Sequence, residues 1–397
     1  MRILHIISGL GVGGAETLLY RLIRESQVDG AEHLVVSLSS LDIMGDRIRA
    51  LGVEVRVLGM RRGAPQPLLL WRMINWIVAF KPDIVQTWMY HADLFGGIAA
   101  LVARQILARR EKGANRIGLL WAIHQTEFPT VGAGPKLGLV AKCCAMVSAK
   151  IPDLIVCCAD SAKANHIRGG YCAERMQVIR NGFDIDLFRP LESARTRLRE
   201  SIGVDEETPI VGIVGRYHAV KDYGNFVAAI GRVHRKLPKC HYVMIGQDLD
   251  WNNRALHDLL EEAGVSGACH LLGPRDDLQL LLPGFDVFCL SSRSEGFPTV
   301  VGEAMACGVP CVATDVGDTA LLVGNLGPIV PRENSEALAT GLLSLLTLST
   351  DEQRNLGELA RQRIRSLFSI ESTWQQYKQA YGAAQKGAWQ CAESRVS

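Results

Sequence analysis

Residues 287–318 read VFCLSSRSEGFPTVVGEAMACGVPCVATDVGD, and this run decides the fold class. The short apolar run VFCLSS (287–292) has the length of a buried strand and is followed by polar loop residues. Pro298 suits a first helical turn, because its missing N–H is one that a helix start leaves unpaired anyway. Gly308 and Pro310 then stop the helix, and PCVATD (310–315) returns as a second buried strand. A strand, a helix and another buried strand in so short a stretch form a βαβ unit, the building block of a parallel sheet.

The same rhythm extends outward in both directions. Downstream of a pause at 183–208, strand patterns recur at IVGIVG (210–215), CHYVMIG (240–246) and HLLGP (270–274). Upstream they recur at ILHIIS (3–8), HLVVSL (33–38), EVRVLG (54–59), IVQTW (84–88), GLLWAIH (118–124), LIVCCA (154–159) and MQVIRNG (176–182). Amphipathic helices such as 15–26 and 67–80 lie between them. The pause places a charged helix between two prolines and reads as a linker. The expected fold is α/β: two Rossmann-like, doubly wound parallel-sheet domains, 1–188 and 189–368, facing a central cleft, a common place for a ligand. A helical tail from Ser369 carries Trp374, Tyr377 and Tyr381.

Composition excludes several classes. The chain of 397 residues is 48% hydrophobic and 21% charged, an ordinary globular balance. No run of 18 apolar residues occurs, so no spanning helix is expected; LLLWRMINWIVAF (68–80) is interrupted by Arg72 and Asn75. The first eight residues read as a strand and not as a leader. Eleven cysteines form no C-x-x-C and no Cys/His metal spacing, which points to reduced thiols in a cytoplasmic protein. The net charge of +2 conceals an asymmetry: residues 1–190 hold 23 Lys/Arg against 16 Asp/Glu, and the remainder 20 against 25. A basic first half suits an anionic membrane or a phosphorylated substrate, and nothing calls for nucleic acid.

Chemistry concentrates in the second half. The backbone N–H groups of Gly296, Phe297, Thr299 and Val300 gather at a helix start, which carries roughly half a positive charge and suits phosphate. Glu295 precedes that helix and Glu303 lies within it. Two acids beside an anion site make poor phosphate ligands and good acceptors for sugar hydroxyls on either side of a diphosphate. The bland alternative is one solvated loop acid and one on a helix surface. VGRYHAVKDY (214–223) adds Arg216 at a strand end and Lys221 before the next helix, two cations able to neutralise a diphosphate without a metal.

The full context, E-G-F-P-x-x-x-x-E followed by A-x-x-C-G-x-P-C-V-A-T, resembles the E-x(7)-E motif of retaining GT-B glycosyltransferases, above all glycosyltransferase family 4. The resemblance implies a second half that binds a nucleotide-sugar donor and a first half that binds the acceptor. Arg216 and Lys221 would contact phosphates, Glu295 the sugar hydroxyls and Glu303 the ribose. GPRDDL (273–278) would meet the base through Gly273 and Arg275, and the tail helix would return to the first half.

At the other end, SGLGVGGAETL (8–18) satisfies G-x-G-x-x-G through Gly9, Gly11 and Gly14. A dinucleotide site also wants an acid closing the second strand, but HLVVSLSS ends in serines, with Glu32 before it and Asp42 beyond. G-x-G-G-A-E fits the family's amino-terminal loop better, where Gly13 and Gly14 would approach phosphate and Glu16 would cap and orient the loop. By the same resemblance His124, in WAIHQTEF (121–128), positions the transferred sugar, and His91, in TWMYHADLFGG (87–97), serves the acceptor side. RNGFDIDLFRP (180–190) matches the family's N-G-x-D-x-x-x-F-x-P segment, with Asn181 and Asp184 architectural.

The expected activity is transfer of a hexose, with retention, from a nucleotide sugar. UDP is the favoured carrier and GDP-mannose stays open. The acceptor is a glycan or lipid-linked saccharide of surface polysaccharide assembly, at the inner face of the cytoplasmic membrane, with no cofactor or metal. LVARQILARREKGANR (101–116) and GAGPKLGLVAKCCAMVSAKIP (132–152) either rest on an anionic bilayer or are buried helices with snorkelling lysines. The alternatives are a catalytically silent nucleotide-sugar-binding partner of a membrane assembly, a GT-B epimerase, a phosphorylase, for whose pyridoxal lysine no local motif exists, and a nicotinamide dehydrogenase.

Overall fold

The computed structural model describes residues 1–60, 67–110, 116–129 and 135–387. They form two compact units, Met1–Gly182 with the tail from Ile370, and Phe183–Ser369.

The first unit is built on seven parallel strands: β1 (Arg2–Ile7), β2 (Glu32–Ser37), β3 (Glu54–Val57), β4 (Ile84–Trp88), β5 (Gly118–Ile123), β6 (Leu154–Cys157) and β7 (Met176–Val178). Their spatial order is β3-β2-β1-β4-β5-β6-β7. β4 and β5 are buried at every position, as strands covered on both faces must be. One face packs on Met73, Ile77, Ala99, Ala103 and Cys144 from three helices; the other packs on Leu18, Leu22, Trp374 and Tyr381. The tail helix Ile370–Lys386 thus belongs to the first unit's core. Its Trp374 Nε1 donates to Asp29 Oδ2 at 2.7 Å, and the Tyr381 hydroxyl donates to Gln86 Oε1.

The second unit carries β8 (Ile210–Val214), β9 (His241–Ile245), β10 (Cys269–Leu271), β11 (Val287–Leu290), β12 (Cys311–Thr314) and β13 (Ile329–Val330), all parallel, in the order β10-β9-β8-β11-β12-β13. Each sheet reverses its winding once, between β1 and β4 and between β8 and β11. At such a switch point the loops leaving the carboxyl ends of the two strands diverge and open a crevice.

The chain changes unit between Gly182 and Phe183, a few residues before the boundary expected at 188, and returns between Ser369 and Ile370. Packing explains the difference. Phe183 N–H donates to Phe368 O at 2.8 Å, and its ring meets Phe297 at 5.9 Å between centroids. Gly302 leaves room for that ring, since a Cβ there would fall 2.0 Å from it. Arg361 then ties the segment down, donating to Ile185 O at 3.0 Å and to Phe188 O at 3.0 Å. Asp184 Oδ1 accepts from the N–H groups of Asp186 and Leu187. The ten described cysteines are not joined in disulfides with one another, and no described helix is long and apolar enough to cross a membrane.

Candidate functional site

In the second unit the switch point collects most of the expected donor residues. β8 is followed by Gly215 and Arg216, and β11 by Ser291 and Ser292, so the loops carrying Arg216, Lys221 and Glu295 leave adjacent strands. Close backbone contacts hold these loops. A Cβ at Gly246 would fall 2.1 Å from Gly215 O, and one at Gly317 would fall 2.2 Å from Glu295 O. Gly317 also has φ +56, a conformation in which an L side chain is strained.

Lys221 closes a single 3₁₀ turn, Ala219–Lys221, whose cap His218 accepts from Val220 N–H. Lys221 Nζ donates to Glu295 Oε1 at 2.6 Å, and Ser292 Oγ donates to the same oxygen at 2.6 Å. The backbones are joined as well: Ser291 Oγ donates to Lys221 O at 2.8 Å, and Arg293 N–H to Val220 O at 2.7 Å. Lys221 and Glu295 are therefore fixed relative to one another by side chain and main chain. Arg216 is exposed and carries no ion pair among the described residues.

The helix after Glu295 runs Thr299–Ala306 with Pro298 at its N-cap, and no side chain caps it. Its first N–H groups are the kind of donors that a bound anion can satisfy. Gly296 O accepts from Asp318 N–H at 3.0 Å, which sets the approach to the helix. The Phe297 ring faces inward between Phe183 and Phe368, so only its backbone is free to meet a ligand. Thr299 and Val300 are half-buried, whereas Glu303 is buried one turn into the helix. Beyond β10, buried Gly273 accepts from Gly246 N–H at 2.8 Å. Arg275 is forked onto Asp277 at 2.9 and 2.6 Å, so its guanidinium already has a carboxylate partner.

The first unit presents its own switch point. Gly13 is the N-cap of the helix Gly14–Gln27 and offers no side-chain cap. The Glu16 carboxylate folds back over it, and a Cβ at Gly13 would meet Glu16 Oε2 at 2.5 Å. Burial raises the Glu16 carboxyl above its ordinary range, and a bond from its own N–H partly offsets this. His124 directly follows β5, with its ring stacked on Trp88, 5.2 Å between centroids. Neither ring nitrogen has a partner among the described residues, and burial lowers its pKa to about 4, so the imidazole is neutral. His91 lies exposed on the helix Tyr90–Arg110.

Two features escaped the sequence reading. Ser292, a hydroxyl at a strand end, is one; its signal was its place three residues before Glu295. The other is a buried polar chain beneath His124. Trp88 Nε1 donates to His5 Nδ1 at 3.4 Å, His5 Nε2 meets His33 Nδ1 at 3.2 Å, and His33 Nε2 meets Ser26 Oγ at 2.8 Å. The indole can only donate, so each histidine carries its proton on Nε2 and the Ser26 hydroxyl ends the chain on Leu22 O at 2.6 Å. Every member is neutral and satisfied, which fixes Trp88 under the His124 ring.

The model of the glycosyl transferases group 1 matches residues 194–363, and that of Glycosyltransferase Family 4 matches residues 12–187. EpsF of Bacillus subtilis (strain 168) is 26% identical over 325 residues, 79% of each chain. N-acetyl-alpha-D-glucosaminyl L-malate synthase of Bacillus anthracis is 25% identical over 299 residues, 73% of each. The HepE structure from Anabaena, in complex with UDP and glucose, superposes with a TM-score of 0.79 at 22% identity, over 96% of this chain and all of that one.

Proposed function

Because the chain belongs to the GT-B glycosyltransferases, with a family 4 amino-terminal half and a group 1 carboxyl-terminal half, we propose that it moves a hexose from a UDP-sugar with retention of anomeric configuration. The acceptor is a glycan or lipid-linked saccharide in surface polysaccharide assembly, taken up at the cytoplasmic face of an anionic membrane. One observation carries the reading: Lys221, Glu295 and Ser292 are joined at the switch point of the second sheet, directly before an uncapped helix start. The HepE complex with UDP and glucose supports a UDP-sugar as donor.

In this reading the diphosphate leaves as positive charge builds on the anomeric carbon, the acceptor hydroxyl bonds to that carbon from the same face, and its proton passes to the departing phosphate oxygen. Arg216, Lys221 and the N–H groups of Gly296, Phe297, Thr299 and Val300 neutralise the departing oxygens, where preorganised donors act most strongly. Glu295 accepts from the sugar hydroxyls, and Glu303 from the ribose. Gly273 and Arg275 border the base, with Arg275 leaving Asp277 to reach it. Gly13 and Gly14 bring backbone toward phosphate, neutral His124 donates to or accepts from the transferred sugar, and His91 faces the acceptor. The two cations and the helix end do the work that a metal ion does elsewhere.

The test combines thermal shift with nucleoside diphosphates and hydrolysis of UDP-hexoses, the product's anomeric configuration being read by NMR. UDP should stabilise the protein, and the released sugar should keep its configuration. Glu295→Ala should retain UDP binding and lose hydrolysis. Stabilisation by UDP without turnover of any donor would favour the silent binding partner, and conversion of the donor to an isomer without UDP release would favour an epimerase.

A further inference from the structure

Three helices lie side by side over one face of the first unit's sheet: Pro67–Phe80, Tyr90–Arg110 and Pro135–Val147. Their inward sides build the core, through Met73, Ile74 and Ile77, through Ala99 and Ala103, and through Ala141 and Cys144. Their outward rows have an unusual composition. The first helix exposes Leu68, Trp71, Arg72 and Asn75; the second exposes His91, Ile98, Gln105 and Arg109; the third exposes Lys136, Leu139, Lys142 and Met146. Leu68 is 82% exposed, Trp71 58%, Leu139 62% and Met146 73%. Single exposed apolar side chains need no explanation, but several on adjoining helices do.

Charge separates this layer from an ordinary surface. The three helices contain one acidic residue, Asp93, and it is fully buried. Arg72, Arg109, Lys136 and Lys142 are exposed, and none has an ion-pair partner among the described residues. Arg72 instead lies 4.7 Å over the Trp76 ring. Acid-free rows of cations with interleaved Leu, Met and Trp match the headgroup zone of a bilayer, where aromatic and apolar groups sink and cations meet phosphate. A second copy of this chain is a poor occupant, since a two-fold contact would press cations against cations.

We propose that these outward rows form a docking face for anionic lipid. The inference deepens the membrane-side reading given above and rests on it for its purpose. Helices that follow parallel strands begin at the strands' carboxyl edge, so Leu68, Trp71, Lys136 and Leu139, all in the first two turns, sit toward the edge that carries Gly13, His91 and His124. A lipid-linked acceptor would then arrive at this edge without leaving its membrane.

The test is flotation of the full-length protein with vesicles of phosphatidylcholine, alone or mixed with phosphatidylglycerol. The protein should float with the mixed vesicles, be released as salt rises, and stay behind with the neutral ones. The exposed substitutions Leu68→Glu with Trp71→Glu, or Lys136→Glu with Lys142→Glu, should each cut partitioning roughly tenfold or more, with the UDP thermal shift as the check of folding. Equal binding to neutral vesicles, or unchanged binding by both double variants, overturns the proposal. So does a dimer in solution that Leu68→Glu with Trp71→Glu dissolves, which would assign the face to a second copy. Flotation without donor turnover would sink the catalytic reading and leave this one standing.

Discussion

Lys221 Nζ and Ser292 Oγ both bond to one oxygen of Glu295, each at 2.6 Å. The phosphate-neutralising cation and the sugar-holding carboxylate of the proposed reaction are thus partners of each other, and Ser292 keeps the carboxylate placed when Lys221 turns to a phosphate. Lys221→Ala should weaken UDP affinity by roughly 10- to 100-fold, the loss expected for one charge-assisted hydrogen bond of about 1.5–3 kcal/mol. Isothermal titration with UDP checks this; an unchanged affinity would remove Lys221 from the phosphate site.

Ser292→Ala should act differently. The serine holds Glu295 and has no proposed contact with phosphate, so UDP affinity should stay near wild type while kcat for donor hydrolysis falls about tenfold, within the span of a hydrogen bond to a charged group. Steady-state kinetics on the purified variant separates the two effects. A rise in KM with kcat intact would mean that Ser292 serves donor binding and does not orient Glu295.

Much of this was legible in the sequence because buried parallel strands are short, apolar and punctuated by glycine and proline. The helix Thr299–Ala306 was readable from Pro298 and Gly308 for the same reason. The boundary at Gly182 was not, because it depends on Phe183 meeting Gly302 and Phe368, residues far away along the chain. The Lys221–Glu295 bond was equally hidden. It requires β8 and β11 to be neighbours, a fact of strand order and not of local pattern. The His5–His33–Ser26 chain spans two strands and a helix, and a histidine in a strand carries no sign of which neighbour will meet it.

The tightness of that boundary is itself testable. A Cβ at position 302 would lie 2.0 Å from the Phe183 ring, and the ring is backed by Phe297, which in turn packs on Phe368. Gly302→Ala should destabilise the second unit by about 1–3 kcal/mol, the ordinary result of overpacking a core. Phe183→Leu in the same chain should recover part of the loss by making room. Urea denaturation of the single and double variants measures both, and additive losses would show that the two positions do not touch in solution.

Asp286 gives the second unit a buried anion that depends on its partners. Its Oδ2 accepts from Arg199 Nη2 at 2.6 Å and from Ile210 N–H at 2.6 Å, and both side chains of the pair are buried. Arg199→Met would leave that carboxylate without its deepest cation, with only the half-exposed Arg195 on Oδ1 as counter-charge among the described residues. It should cost about 2–4 kcal/mol, somewhat less than stripping a buried charge of every partner. Adding Asp286→Asn should return some of the stability, since the amide needs no counter-charge. Thermal denaturation of the two variants tests the coupling, and a double variant less stable than Arg199→Met alone would refute it.

The first unit holds groups that pull stability in opposite directions with pH. Asp93 is buried, accepts from Thr87 Oγ1 at 2.5 Å, and is pushed up to about 7 by desolvation. Its unfolded value is about 3.9, so what it contributes is fully present below about pH 4 and is lost as pH rises through 7. His33 and His124 are lowered to about 4 by burial, so their contribution is present above about pH 6.5 and is lost as pH falls toward 4. The two windows overlap and oppose each other. Asp93→Asn keeps an acceptor for Thr87 and removes the carboxyl titration, leaving the histidines alone. Its stability should therefore climb more steeply between about pH 4 and 7 than that of the wild type, the difference in unfolding free energy growing toward neutrality by about 3 kcal/mol. Calorimetry across that range measures the slope directly. Parallel curves would show that Asp93 titrates in the folded protein as it does in the unfolded chain, which would overturn its raised value.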